Sequence, residues 1–381
     1  MVNYGTANIS DCTFSGNIAT TRGGAIWSNN SLTVSNCTFN SNEALAVGGD
    51  ARNEGNGGAI HLAEVASSIA TLTDVTTTNN KSKEAGGIYV SANATLNLGG
   101  TSTISGNSST EHGGGGIVNQ GTVIVSGAVS ITGNTSNGNG GGIWSEGTLN
   151  MKGTVTVQNN ARVSGLASNV HLKSGKVITV TGSLGNSLIG ISVEGNNATV
   201  TSSLGSNGTL SNFTNDRAAI ANLSLDNGNA KITPKSSGIY YVERGWDDVN
   251  KKVTETLKVR AIDDNITELD NIEHDEYYHG PVYTIDRSGW FFISGNKKNL
   301  RYYSISVMEG VEAHLILSDG GYLHIDRAIL LHNNATLSIY GQLEDTGTIE
   351  NDPGTYGIGR HGAYDEANTL NIHGGTVIRS T

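Results

Sequence analysis

The chain predicts an all-β fold, a parallel β-solenoid, on three observations. A glycine-pair motif returns five times between Gly23 and Trp144. A second motif, ending in asparagine, returns six times between Phe14 and Asn160 and out of phase with the first. Everything between them is short runs with apolar residues at alternate positions, and no cycle holds a helical period.

The glycine motif reads GGAIW from Gly23, GGAIH from Gly57, GGIYV from Gly86, GGIVN from Gly115 and GGIWS from Gly141, at intervals of 34, 29, 29 and 26 residues. The asparagine motif reads FSGN to Asn17, FNSN to Asn42, TTTN to Asn79, ISGN to Asn107, ITGN to Asn134 and VQNN to Asn160. Its intervals are 25, 37, 28, 27 and 26, the long one coinciding with an insertion, ALAVGGDARNEGN, ahead of Gly57. A third alternating run lies between glycine pair and next asparagine: SLTVS from Ser31, ATLNL from Ala94, TVIVS from Thr122 and TLNMK from Thr148. Each cycle therefore holds three short strands, separated by Gly, Asn and Ser turns.

One such turn cannot bury its apolar side chains alone, whereas stacked turns build a continuous core. Alternation puts Ile26, Leu32, Val34 and Phe39 inside, with Ile88, Leu96, Leu98 and Ile104 as later equivalents. The recurring asparagine is placed to hydrogen-bond its copies above and below as an amide ladder. The glycines suit corners that need positive φ or close backbone approach. Cys12 and Cys37 are 25 residues apart, the same interval as Phe14 to Phe39, so they share one repeat position. Stacked strands stand about 4.8 Å apart, within the range of a disulfide. Two small side chains in a core column satisfy the same spacing.

Composition is consistent with this. Gly is 52 of 381 residues and Pro only 3, which excludes collagen and Pro-rich linkers. A hydrophobic share of 36% suits a narrow core whose corners take much of each turn. The net charge of −11 leaves no basic groove for nucleic acid. No run approaches the roughly eighteen apolar residues of a membrane-spanning helix, and no basic-then-apolar leader is visible. Met1 falls inside a repeat and Thr381 in mid-pattern, as expected of a piece of a longer protein.

GGA[I/V] coupled to FxxN resembles the repeat of the chlamydial polymorphic outer-membrane proteins and of related bacterial surface proteins. The resemblance runs from Asp11 to Asn160. It is full at FSGN…GGAI and FNSN…GGAI, while later copies have Ile for Phe and GGI for GGAI, and TTTN lacks the apolar residue. It implies a right-handed parallel β-helix of the pectin-lyase type on a secreted or surface-displayed protein, at a bacterial outer membrane or cell wall. Such proteins are often adhesins or autotransporter passengers, so the expected partners are glycans or proteins of a host or neighbouring cell. NVHLKSGKVITVTGSLGNSLIGISVEG, from Asn169, resembles the segment that follows such repeats in gut-bacterial surface proteins, their last coils and cap. From about Tyr283, runs such as LSIYGQLEDTGT and GIGRHGAYDEANTLNIHGGTVI resemble a second solenoid type, with GIGR for the usual GIGG. The expected organisation is a β-helix over 1–165, terminal coils and cap over 166–232, a β-rich linker over 233–282 and a second solenoid over 283–381.

β-Helices also carry polysaccharide lyases and glycosidases, which makes a carbohydrate-active enzyme or carbohydrate-binding module the alternative reading. Glycoside hydrolysis needs two carboxylates a few ångströms apart, and the glycine-pair strands carry no acid. Asp247/Asp248 and Asp263/Asp264 fall among turn residues, as solvated loops do. In HDEYYH, His274 and His279 flank Asp275 and Glu276 at a spacing of five, which does not share one helical face. Arg360, His361, Asp365 and Glu366 cluster in GRHGAYDE at a turn of the second solenoid. HGGGGIVN is followed by no helix and so makes no phosphate cradle. No catalytic residue, metal ligand or cofactor is expected. One repeated position escapes the scaffold explanation, the residue after the inward Ile: Trp27, His61, Tyr89, Val118 and Trp144. Alternation turns it outward into a column. A ligand-stacking role for Trp27, His61, Tyr89 and Trp144 stands against cover by a flanking segment.

Overall fold

Strands of two to six residues cannot stand alone, and in the stacks of the first unit they are held by in-register parallel strands one coil away. The computed structural model describes residues 1–47, 54–111, 113–195, 197–235, 238–261, 266–269, 282–294, 300–342, 347–351, 357–360 and 368–379. The chain divides into two units, Met1–Lys235 and Ser236–Thr381.

In the first unit three parallel stacks line a narrow core. One stack holds the glycine-motif strands, from Val2–Asn3 and Ile26–Ser28 through Val170–Leu172. The second runs from Ala7–Ser10 to Thr201–Ser202, and the third from Thr13–Ser15 to Thr154–Gln158. A fourth stack of two-residue strands, Ile18–Ala19 to Ala161–Arg162, makes the corner after each asparagine. Leu188–Val193 joins the first and third stacks at the far end, pairing with both. Beyond it an antiparallel sheet of Ala198–Thr199, Ala221–Asp226 and Asn229–Pro234 covers the terminal coils. A change to antiparallel pairing stops the stack from offering another parallel edge.

The expected inward residues are inward. Ile26, Leu32, Val34, Phe39, Ile88, Leu96, Leu98 and Ile104 are all buried. They lie in columns, for example Ile26, Ile60, Ile88, Ile117 and Ile143. Phe14 stacks on Phe39 at 4.9 Å and 4°. In the coil that lacks an apolar residue, Thr77 takes the place in that column and is fully buried.

The asparagine ladder is present, with one change of member. Its rungs are Asn17, Asn42, Asn80, Asn107, Asn134, Asn160 and Asn169. Asn80 and not Asn79 belongs to it; Asn79 sits one residue earlier, at φ 56°, where other coils have Gly16, Gly106 or Gly133. Each rung repeats one pattern. The backbone N–H and Nδ2 of Asn80 both donate to Asn107 Oδ1, at 3.0 and 2.9 Å, and Nδ2 also donates to Phe39 O at 3.0 Å. Asn42, Asn80, Asn107 and Asn134 have no exposed surface, so the ladder satisfies corner groups that water cannot reach.

The glycines fall into a triplet once coils are aligned on the inward Ile. Its first position has positive φ: Gly23 59°, Gly57 71°, Ala85 56°, Gly114 73° and Gly140 70°. The motif at Gly86, Gly115 and Gly141 therefore starts one position later than at Gly23 and Gly57. The middle position is glycine in all five of these coils because the next coil lies against it. A Cβ on Gly58 would stand 2.3 Å from Gly86 O and 2.6 Å from Lys81 O; one on Gly115 would stand 2.2 Å from Thr135 O. Both obstacles are backbone and cannot rotate away. Gly58→Ala is therefore expected to lower stability by about 1–3 kcal/mol or more through overpacking. Chemical denaturation checks it; a midpoint unchanged from wild type would contradict the close approach.

The second unit has two parallel stacks around a separate core that includes Ile293, Ile305, Leu315, Ile325, Leu337 and Ile349. One runs Ile266–Glu268, Gly289–Ile293, Glu312–Leu317, Thr336–Gly341, Thr369–Ile372. The other starts Val282–Ile285, Leu300–Val307, Tyr322–Leu331. A ten-residue-a-side hairpin, Gly238–Asp247 with Lys252–Ala261, is antiparallel and joins the first stack at Val242 and Gly341. This hairpin lies within the stretch expected as a linker, yet it is part of the second unit. Ile239 packs with Ile266, Phe292, Ile316 and Tyr340 in an apolar cluster on the stack's outer face, with Tyr241 against it.

Candidate functional site

The outward column exists in register: Trp27, His61, Tyr89, Val118 and Trp144 are successive partners, continued by His171 and Ser192. It is not an exposed row. His61 is 3% exposed, Tyr89 6%, Val118 3% and His171 1%. The cover is the run that leads into each glycine triplet. Arg22, Asn56 and Glu84 bridge one another in parallel, so these leads stack as straps. Ala85 clusters with Tyr89 and Val118, with Trp144 packed against them. Gly113 and Gly114 sit so close that a Cβ would meet Trp144 Cδ1 at 2.7 Å and Val118 Cγ2 at 2.3 Å. His61 and Tyr89 are therefore corrected from ligand-stacking candidates to packed side chains, whose rings stack on each other at 5.1 Å. Tyr89 donates its hydroxyl to Gln120 Oε1 at 2.9 Å.

Trp27 and Trp144 keep partial exposure. Trp27 meets Tyr4 at 5.3 Å, and with Arg22 and Glu54 they line a shallow cavity of about 340 Å³. Here an aromatic face of the column and polar groups share an opening.

Burial governs titration along this face. Desolvation, helped by the Arg22 charge, lowers the His61 pKa to about 3. The pKa of His171, beside Ser192 Oγ at 3.2 Å, is also lowered, by desolvation first and then by the Arg217, Lys173 and Arg162 charges. Both imidazoles are thus neutral packing groups. His171 belongs to the column although no glycine pair precedes it; the alternation in NVHL carries the signal.

The ladder ends on an acid. Asn169 donates its backbone N–H to Asp216 Oδ2 at 2.6 Å and its Nδ2 to Oδ1 at 2.7 Å. A carboxylate accepts without needing to donate onward, which suits a last rung. Burial nevertheless raises the Asp216 pKa to about 6, against the pull of the Asn169 donors and Arg217. A raised carboxyl gives stability that is full below about pH 4 and is lost as pH rises through about 6. Asp216→Asn removes this titration but also one acceptor for the Asn169 donors, so its effect on stability is expected to be more favourable at pH 7 than below pH 4 by up to about 3 kcal/mol. Thermal midpoints at the two pH values check this, and equal shifts at both would contradict it.

Cys12 and Cys37 are free thiols, Cys12 exposed and Cys37 buried. In-register stacking points both side chains the same way: each S–H faces the carbonyl two residues back, Ser10 O and Ser35 O, at 3.1 Å. The Cys12 N–H donates to Cys37 Sγ at 3.3 Å, and burial pushes the Cys37 thiol up. The core-column reading holds for Cys37.

Asp247 caps the hairpin turn through the Val249 and Asn250 amides, and Asp248 pairs with Lys251 in solvent. Asp263, Asp264, His274, Asp275, Glu276, His279, His361, Asp365 and Glu366 lie outside the described residues, and of Arg360 only the backbone is described. Among the described residues no group of three or more His, Cys, Asp or Glu is gathered as for a metal ion. No described helix is long and apolar enough to cross a membrane.

An all-β solenoid fastened by an asparagine ladder and glycine triplets is the class this geometry defines. The family model for the Chlamydia polymorphic membrane protein repeat matches residues 11–29 and 128–146. Each match spans an asparagine rung, a glycine triplet and the tryptophan that follows, Trp27 or Trp144. The chain thus carries two stretches similar to that repeat, which suggests an outer-membrane or surface β-helix protein. No curated protein and no solved structure matches the chain.

Proposed function

We propose that the chain is a non-enzymatic, secreted or surface-displayed bacterial β-helix protein that serves as an extended stalk and adhesion scaffold. One observation carries this reading: the residues that recur from coil to coil are those that fasten one coil to the next. Asparagine joins rung to rung, the middle glycine admits the neighbouring backbone, and the column side chains fill the space beneath the straps. Contact with a glycan or protein of another cell then falls to local openings, of which the Tyr4–Trp27 cavity is one. The test is twofold. Incubation with a panel of neutral and acidic polysaccharides is expected to release no new reducing or unsaturated ends; turnover would overturn the non-enzymatic reading. Protease shaving of intact producing cells is expected to remove the chain, and full protection would overturn display.

A further inference from the structure

The chain is acidic, and its cations mostly meet carboxylates: Lys83 with Glu111, Lys173 with Glu194, Lys231 with Asp226, and Arg244 with Glu255. Two guanidinium groups of the second unit do not. Arg260, at the end of the hairpin's second strand, stands over the Trp290 ring at 5.6 Å, and its buried Nε has no hydrogen-bond partner. Arg287, exposed in the turn before Gly289–Ile293, donates from Nη2 to Thr267 Oγ1 at 3.2 Å. Neither makes an ion pair among the described residues. Both line one open cavity of about 300 Å³, with Thr267, Ser288 and Trp290. Of the nearby acids, Glu312 pairs with His314 at 3.4 Å, and Asp286 lines an adjoining cavity together with Arg287 but forms no ion pair with it.

Two planar forks of N–H donors that make no ion pair among the described residues form a receptor for an oxyanion, since guanidinium matches oxyanion geometry by paired hydrogen bonds. The site is held in shape. Trp290 contacts both Arg260 and the His314 ring, the latter 4.4 Å away and near parallel, and Ser288 Oγ is anchored by the Glu312 N–H at 2.9 Å. The hydroxyls of Thr267 and Ser288 and the Trp290 ring beside the two cations suit a sugar that carries the anion. We propose that this cavity binds the oxyanion of an acidic saccharide, a uronate carboxylate or a sulfate ester, with Arg260 and Arg287 as its ligands. The proposal goes beyond the stalk reading and does not require it.

The experiment is calorimetric titration of the purified chain with a uronic-acid oligosaccharide, a sulfated oligosaccharide and a neutral one. Saturable binding of at least one acidic ligand is expected, weakened by salt, with none for the neutral sugar. The acidic ligand that binds identifies which oxyanion the site takes. Arg260→Gln and Arg287→Gln should each weaken it about tenfold or more, with the thermal midpoint at the wild-type value for Arg287→Gln, whose side chain is exposed; Arg287→Lys should recover only part of the loss. Equal binding of the neutral sugar, no saturation by either acid, or unchanged affinity in both glutamine variants would overturn the site. None of those results would touch the stalk reading, which rests on the first unit.

Discussion

Replacing Asn107 with Ala is expected to cost the first unit about 3–6 kcal/mol. The side chain accepts from the Asn80 backbone N–H and Nδ2, and donates to Asn134 Oδ1 and Thr77 O. Alanine leaves two donors and a carbonyl without partners where there is no water, at about 1–3 kcal/mol for each stranded group. Asn79→Ala is the control. Asn79 has αL backbone and one weak bond, Nδ2 to Asn40 Oδ1 at 3.3 Å, on the exposed side. Its loss should cost about 1 kcal/mol, chiefly for alanine at positive φ. Denaturation midpoints compare the two, and hydrogen exchange of the Asn80 amide reads the broken rung directly. Equal costs at Asn79 and Asn107 would refute the assignment of the ladder.

Acidification is expected to loosen the same unit, starting below about pH 6.5. A histidine whose folded pKa is depressed contributes stability that is present above its unfolded pKa and lost as pH falls toward the folded value. For His61, whose pKa is lowered to about 3, the window runs from about 6.5 to 3 and is worth up to about 5 kcal/mol. His171 acts in the same direction. Asp216 acts in the opposite one between about 4 and 6, so the net fall is shallower there. His61→Phe keeps a ring against Tyr89 and removes the titration. Its stability should vary less with pH than wild type over that window. If the two profiles run parallel, His61 is not the group responsible.

How much of this was legible in the sequence depends on what each feature needs. Strand positions, the inward columns and the ladder follow from alternation and period, which are local. Register at ambiguous letters does not. TTTNN offers two asparagines and HGGGG several glycines, and only the neighbouring coil decides which enters the ladder or the tight corner. The outward column was legible as a direction, because Trp27 and its equivalents alternate with buried Ile and Ser or Leu. Its burial was not, because the straps that cover it come from the polar runs before the glycines. Asp216 could not be found by period, since it reaches Asn169 across 47 residues from outside the repeats. Arg260 and Arg287 come to line one cavity only through packing of the hairpin within the second unit.

The insertion ahead of Gly57 has a consequence for how such a protein can change. Ala44 and Ile60 are sixteen residues apart, where Ala19 and Ile26 are seven apart. The rungs on either side still meet at 2.7 and 2.9 Å, as they do elsewhere. Closing a longer loop adds entropy cost only logarithmically. That corner is therefore a port, where lengths of chain can be gained, lost or rewritten while the frame stays in phase. A lineage built on it can vary what it shows to the outside without relearning how to fold, and an engineer can graft there for the same reason.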